Sequence, residues 1–191
     1  MINISDALLV LTPGAEWSIR NNSYSQLDWL DTEQTQPTEE EVVQKAAELQ
    51  YQEEVNEYQR QRAAEYPSYA NQFDKIFHEG VDAWKTDIQA IKDKYPKATM
   101  DATELQTRKD KAIFDLQTER YVAATKRLEL DAVVASDDIP ATVEVSTTNP
   151  ETMEVTTETV ANPVIVKDEQ ERASAQAVVD ATPQPVIDSL G

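Results

Sequence analysis

The chain has 191 residues, 17 Lys and Arg against 36 Asp and Glu, a formal charge of −19 and no cysteine. That length suits one domain plus extensions. The charge argues against a phosphate-binding surface, because nucleic-acid affinity rests on cationic neutralisation, and the missing cysteines rule out disulfides, thiolate metal sites and cysteine nucleophiles.

The first residues lack the basic stretch and small-residue cleavage site of a signal peptide. No apolar run approaches the roughly 20 residues of a membrane span. The expectation is a soluble chain made in a cytoplasm, with neither membrane nor nucleic acid as a partner. Charge and aromatics are unevenly placed. Residues 131–191 hold two cations, Lys167 and Arg172, among twelve acids, and all thirteen aromatics lie between Trp17 and Tyr121. Any core must therefore be built upstream of residue 131.

In chain order, Ala7-Leu8-Leu9-Val10-Leu11 is a short apolar run closed by Thr12-Pro13-Gly14. Pro followed by Gly suits a type II turn, where Gly accepts a positive φ. Trp17 and Ile19, then Leu27 and Trp29, alternate with polar residues on either side of Asn21-Asn22, which predicts a β-hairpin. A lone hairpin is marginal in water. This one is expected to pack on a first strand made by the apolar run, or on the helices behind it.

Thr38 and Glu41 form a capping-box pattern, with Glu39, Glu40 and Glu41 facing the positive end of the helix dipole. The helix should run to about Tyr66, where Pro67 stops it. Its narrow stripe of Val43, Ala47, Tyr51, Val55 and Tyr58, with Arg62 next, suits a hairpin or coiled-coil partner.

Residues 65–97 hold much of the bulky apolar material between two Tyr-Pro pairs, Tyr66-Pro67 and Tyr95-Pro96. Tyr69, Phe73, Ile76 and Phe77 share one helical face. Gly80 predicts a C-cap or sharp bend. Trp84, Ile88, Ile91 and Tyr95 then repeat at four, three and four, the spacing of a packing seam. The segment reads as the hinge-bearing middle of a helical body, its two seams facing the long helices on either side. Asp101 and Glu104 supply a second capping box, opening a helix to about Leu130 with Leu105, Ala112, Leu116, Ala123 and Leu130 on one seam.

Beyond Leu130, Val143 and Val145, then Met153, Val155 and Thr157, alternate as edge strands or an extended arm, with Asn149-Pro150 between them. Val164-Ile165-Val166 is a third strand candidate. Asp168 and Glu171 predict a cap opening a short helix near 169–181. Such an acidic, aromatic-free tail is expected to stay mobile or to order on a partner chain.

The fold class is thus mainly α: a small N-terminal β-hairpin module (1–36), an elongated antiparallel helical body (37–130, with helices at about 38–66, 68–80, 81–95 and 101–130), and an extended acidic arm with short strands and a short helix (131–191). No residue announces a reaction. His78 is the only histidine, has no second histidine at i+4 and reads as structural rather than a metal ligand or proton shuttle. Three glycines leave little with which to build a phosphate-cradling loop. Asp82 and Asp87 do not share a helical face, and Asp137-Asp138 lacks the ligands and glycine of a calcium loop. No enzymatic activity, cofactor or metal is expected. Trp17, Trp29 and Trp84 read as core or interface residues. Together with Phe73, Phe77, Ile88, Ile91 and Tyr95 they are the candidate protein-interaction set.

Three stretches carry a resemblance. L-T-P-G-A-E-W-S-I-R-N-N-S-Y-S-Q-L-D-W-L-D (residues 11–31), followed by Gln36-Pro37-Thr38-Glu39-Glu40-Glu41, resembles the start of small tail-fibre assembly and tail-associated proteins of tailed bacteriophages. The block Y-P-S-Y-A-N-Q-F-D-K-I-F-H-E-G…W-K…I-Q-A-I-K-D-K-Y-P-K resembles a segment of marine phage structural and tail-fibre-like proteins, and residues 162–187 are similar to the ending of such proteins. The resemblance implies a virion structural protein made in a bacterial host, with other tail or fibre proteins as partners in a homo-oligomer or hetero-complex. A tail-fibre assembly chaperone is the alternative it implies, although such chaperones usually end in a compact domain and this chain carries a long acidic tail. The charge alone motivates a further alternative, an acidic nucleic-acid mimic that inhibits a DNA-binding enzyme.

Overall fold

The computed structural model describes residues 3–148, 150 and 155–190. The protein is mainly helical, with an N-terminal β-hairpin and short C-terminal strands. Contacts divide it into two compact units, Met1–Ile113 and Phe114–Gly191.

The first unit begins with helix α1 (Ile4–Leu11), not the expected strand. Asn3 caps it by accepting from the Asp6 N–H, and Asp6 sits in the first turn, where a carboxylate meets the positive helix end. Ile4, Ala7, Leu8 and Leu11 fall at i, i+3, i+4 and i+7, so one side of a helix gathers them while Leu9 and Val10 stay exposed. A five-residue apolar run is ambiguous by itself; the cap and this spacing decide it.

Gly14 takes φ +81° after Pro13, as the turn requires. Strands β1 (Trp17–Ile19) and β2 (Leu27–Trp29) pair antiparallel with Trp17 opposite Trp29 and Ile19 opposite Leu27. Asn21 and Asn22 both adopt positive φ in the connection, and a 3₁₀ turn over Tyr24–Gln26 completes it. The hairpin packs Trp17, Ile19 and Leu27 against Ala7, Leu8, Val42 and Ala46, the buried cluster of this unit.

Helix α2 (Glu39–Glu65) opens on the predicted capping box, with both the Thr38 and the Glu41 half present. Its entry is also held by Tyr24, whose hydroxyl donates to the Pro37 carbonyl and accepts from Gln36 Nε2. Helices α3 (Tyr69–Glu79), α4 (Val81–Lys94) and α5 (Ala102–Glu129) follow. Asp101 begins α5 by accepting from the Glu104 N–H at 2.8 Å, the first half of the predicted capping box, while the Glu104 carboxylate takes Arg108 instead of the Asp101 N–H. In the first unit α5 meets α2 through polar contacts around Tyr51. The Asp101 N–H donates to the Tyr51 hydroxyl, the Arg108 guanidinium lies 4.4 Å from the Tyr51 ring centre, and Lys109 pairs with Glu48 at 2.8 Å.

The second unit uses the rest of α5. Here Leu116 and Ala124 are buried, whereas Ala123 and Leu130, expected on the seam, are exposed. Leu116, Arg120, Ala124 and Arg127 are spaced four, four and three, a stripe that leaves the heptad. Strands β3 (Thr142–Thr148) and β4 (Val155–Ala161) form a second antiparallel hairpin, Val143 opposite Val160. The expected strand residues Val143, Val145, Val155 and Thr157 all lie in it; Met153 and Asn149 lie outside the described residues.

Val164-Ile165-Val166 is not a third strand but the first turn of helix α6 (Pro163–Ala181). Asn162 is the cap, accepting from the Val164 N–H, and Pro163 stands at the first helical position, where its missing N–H costs nothing. The helix therefore starts before Asp168, which is an interior residue and not the predicted cap. A short helix α7 (Gln184–Asp188) buries Val186 at the end of the unit.

Candidate interaction surface

The helical hairpin α3–α4 departs most from expectation. Neither helix has a buried residue. Its two seams were expected to face the long helices, yet Tyr69, Phe73 and Phe77 are 81%, 68% and 82% exposed. They stand at i, i+4 and i+8, so they form one aromatic ridge along α3.

The ridge is built on a braced scaffold. Ser68 caps α3 by accepting from the Asn71 N–H, and Gln72 Nε2 donates to the Pro67 carbonyl at 2.7 Å. Gly80 ends α3 and begins α4 at φ +88°, ψ 167°, a backbone region that L side chains avoid. This is the predicted break. Across the bend, Trp84 Nε1 donates to Gln72 Oε1 at 3.0 Å. Lys75 pairs with Asp87 at 2.8 Å and with Glu79 at 3.1 Å, and hydrogen bonding to Asp87, then Glu79, raises its pKa.

The far end of α4 is fastened to the last turn of α2. Arg62 donates to the backbone carbonyls of Tyr95 (2.8 Å) and Lys92 (3.1 Å), two carbonyls at a helix C-terminus that lack helical partners. Glu65 accepts from Lys94 and from the Tyr95 hydroxyl, and those hydrogen bonds, Lys94 first, lower its pKa. Trp84, Ile88, Ile91 and Tyr95 are half-buried on this braced side.

The candidate residues therefore separate. Phe73 and Phe77 are open to solvent, and Tyr69 joins them. Trp84 and Tyr95 serve as internal ties. Trp17 belongs to the N-terminal cluster, and Trp29 is held by its Nε1 donating to the Gln34 carbonyl at 3.1 Å. Sequence reasoning missed the Arg62 clamp, although Arg62 stands in register at the end of the α2 stripe, and missed the Gln72–Trp84 link, for which a separation of twelve residues leaves no local signal.

His78 is exposed beside Phe77, with an edge-on ring contact at 5.0 Å, and Nε2 lies 3.4 Å from Asp74. Asp82 pairs with Lys85 and Asp87 with Lys75, so the two carboxylates point to separate partners. Among the described residues no group of three or more His, Cys, Asp or Glu side chains is arranged to hold a metal ion, and no helix is long and apolar enough to cross a membrane. The chemistry this surface offers is apolar contact flanked by polar side chains. Comparison with protein-family models, curated proteins and solved structures finds no match for the chain.

Proposed function

We propose that this chain is a non-enzymatic assembly protein of a tailed-bacteriophage particle, associated with the tail or its fibres, and that it acts by docking the aromatic face of α3. One observation carries the docking: Tyr69, Phe73 and Phe77 stand exposed in a single row on a helix braced from behind. Large exposed apolar patches mark interaction sites, and aromatic side chains dominate the energetic centres of interfaces. A pre-braced helix loses little further freedom on binding. The tail setting rests on the resemblance carried by residues 11–31 with 36–41, by residues 66–97 and by residues 162–187.

Peptide mass spectrometry of purified particles of the phage encoding the chain tests the proposal. Stoichiometric peptides in the particle support a structural role. Abundance in the lysate with absence from the particle supports the assembly chaperone. An acidic mimic would instead bind an isolated basic protein and lose it in moderate salt.

A further inference from the structure

We infer that the occupant of the α3 ridge is the same ridge of a second copy, the two helices packing antiparallel about a two-fold axis near Phe73. The inference rests on the assembly reading and adds the partner and its geometry.

The distribution of charge is the first argument. A chain of net charge −19 repels its own copies, so self-contact belongs where acids are fewest. Residues 66–73 carry no charged side chain, and α3 has no acidic residue in its first turn. Its acids are Asp74, the central residue of the eleven, and Glu79, the last. An antiparallel pair sets the Glu79 end of each copy against the uncharged, dipole-positive start of the other. A parallel pair would stack Glu79 on Glu79, whereas Asp74 lies beside the axis and meets its own copy in either arrangement. The helix is thus complementary to its own reversed copy.

Area is the second. At roughly 150–250 Å² per aromatic side chain, the exposed parts of Tyr69, Phe73 and Phe77 offer on the order of 350–580 Å² per copy. Two such ridges bring about 700–1,150 Å² from the aromatics alone. The flanking Ala70 and His78 raise this toward the ~1,200 Å² at which specific interfaces begin. In a two-fold pair Phe73 meets Phe73 and each Tyr69 meets Phe77 of the other copy, so every large ring on the ridge gains an aromatic neighbour. A two-fold interface requires such a self-complementary patch.

Sedimentation equilibrium of the full chain tests this, with Phe77→Glu and Phe73→Ala as variants. Neither side chain is buried, so both variants keep the wild-type circular dichroism. The expected result is a concentration-dependent species of twice 21.5 kDa. It tightens as salt screens the like charges and weakens at least about tenfold in Phe77→Glu. Because the chain lacks cysteine, Asp74→Cys introduces a single thiol beside the proposed axis. There a thiol crosslinker spanning about 10 Å should join two copies, while Thr32→Cys, at an exposed site before α2 and at the end of that helix away from the Arg62 clamp, should not crosslink. A monomer at every concentration, a species other than a dimer, a dimer indifferent to Phe77→Glu, or equal crosslinking at both cysteines overturns the inference. If the chain is monomeric yet Phe77→Glu is lost from particles that retain the wild type, the two-fold pairing falls and the assembly reading stands.

Discussion

Arg127 and Asp168, 41 residues apart in sequence, meet as an ion pair that ties α6 to the last turns of α5. Asp168 is almost fully withdrawn from solvent, and its second oxygen accepts from the Val133 N–H at 3.1 Å. Arg172, one turn along α6, donates to the Leu130 and Leu128 carbonyls at the C-terminal end of α5. Lys167 and Arg172 are the only cations after residue 130, and Arg172 is spent on this junction. The junction gives the acidic C-terminal region its anchor within the second unit.

The junction makes the second unit sensitive to acid. The hydrogen bond from Arg127, then the Val133 N–H, lowers the Asp168 pKa against the opposing effect of burial. A carboxylate with a lowered folded-state pKa contributes stability that is present in full above its unfolded value of about 3.9 and is lost as pH falls through the folded value. Amide signals of α6 should therefore stay constant down to about pH 4 and lose dispersion below it. Asp168→Asn should remove that acid step and lower the melting temperature of the second unit at neutral pH. A variant as stable as wild type at pH 7 would show the pair to be incidental.

Core and ridge should respond oppositely to truncation. Leu8 and Val42 are fully buried in the N-terminal cluster, so Leu8→Ala should cost about 2–5 kcal/mol in urea unfolding. Phe77→Ala, on the open ridge, should change the stability of the monomer, measured at concentrations below self-association, by no more than about 0.5 kcal/mol. A large loss for Phe77→Ala would place the ridge inside a folded contact.

Gly80 is a backbone requirement. A Cβ there would meet open space, but φ +88° with ψ 167° is strained for any L side chain. Gly80→Ala should destabilise the α3–α4 hairpin by roughly 1–3 kcal/mol, read as faster amide exchange in both helices. Unchanged exchange would mean that the bend tolerates another conformation.

Thr38 closes the N-terminus of α2 through its reciprocal contacts with Glu41. Thr38→Ala should cost about 1 kcal/mol, measurable in the same urea titration. A neutral result would show that the Tyr24–Pro37 contact holds the helix start without the cap.

What the sequence made legible follows the range of each interaction. The starts at Thr38 and Asp101, the break at Gly80 and the turn at Asn21-Asn22 rest on contacts within a few residues, and all appear as expected. The apolar run at Ala7 and the Val164-Ile165-Val166 triplet are too short for periodicity to separate helix from strand. Their caps, Asn3 and Asn162, hold the information. Asp168 fits a capping pattern locally but is claimed by Arg127, a partner no local pattern reveals. The α3 ridge is the clearest lesson: periodicity names the apolar face of a helix, but not whether the chain covers it.

Incorporation of the ridge variants into particles tests the central claim most directly. Phage carrying Phe73→Glu or Phe77→Glu should produce a folded protein that stays in the soluble fraction and is missing from purified particles by mass spectrometry, whereas a control substitution at exposed Asp138 should be incorporated normally. Incorporation of both ridge variants at the wild-type level would contradict assembly through this face.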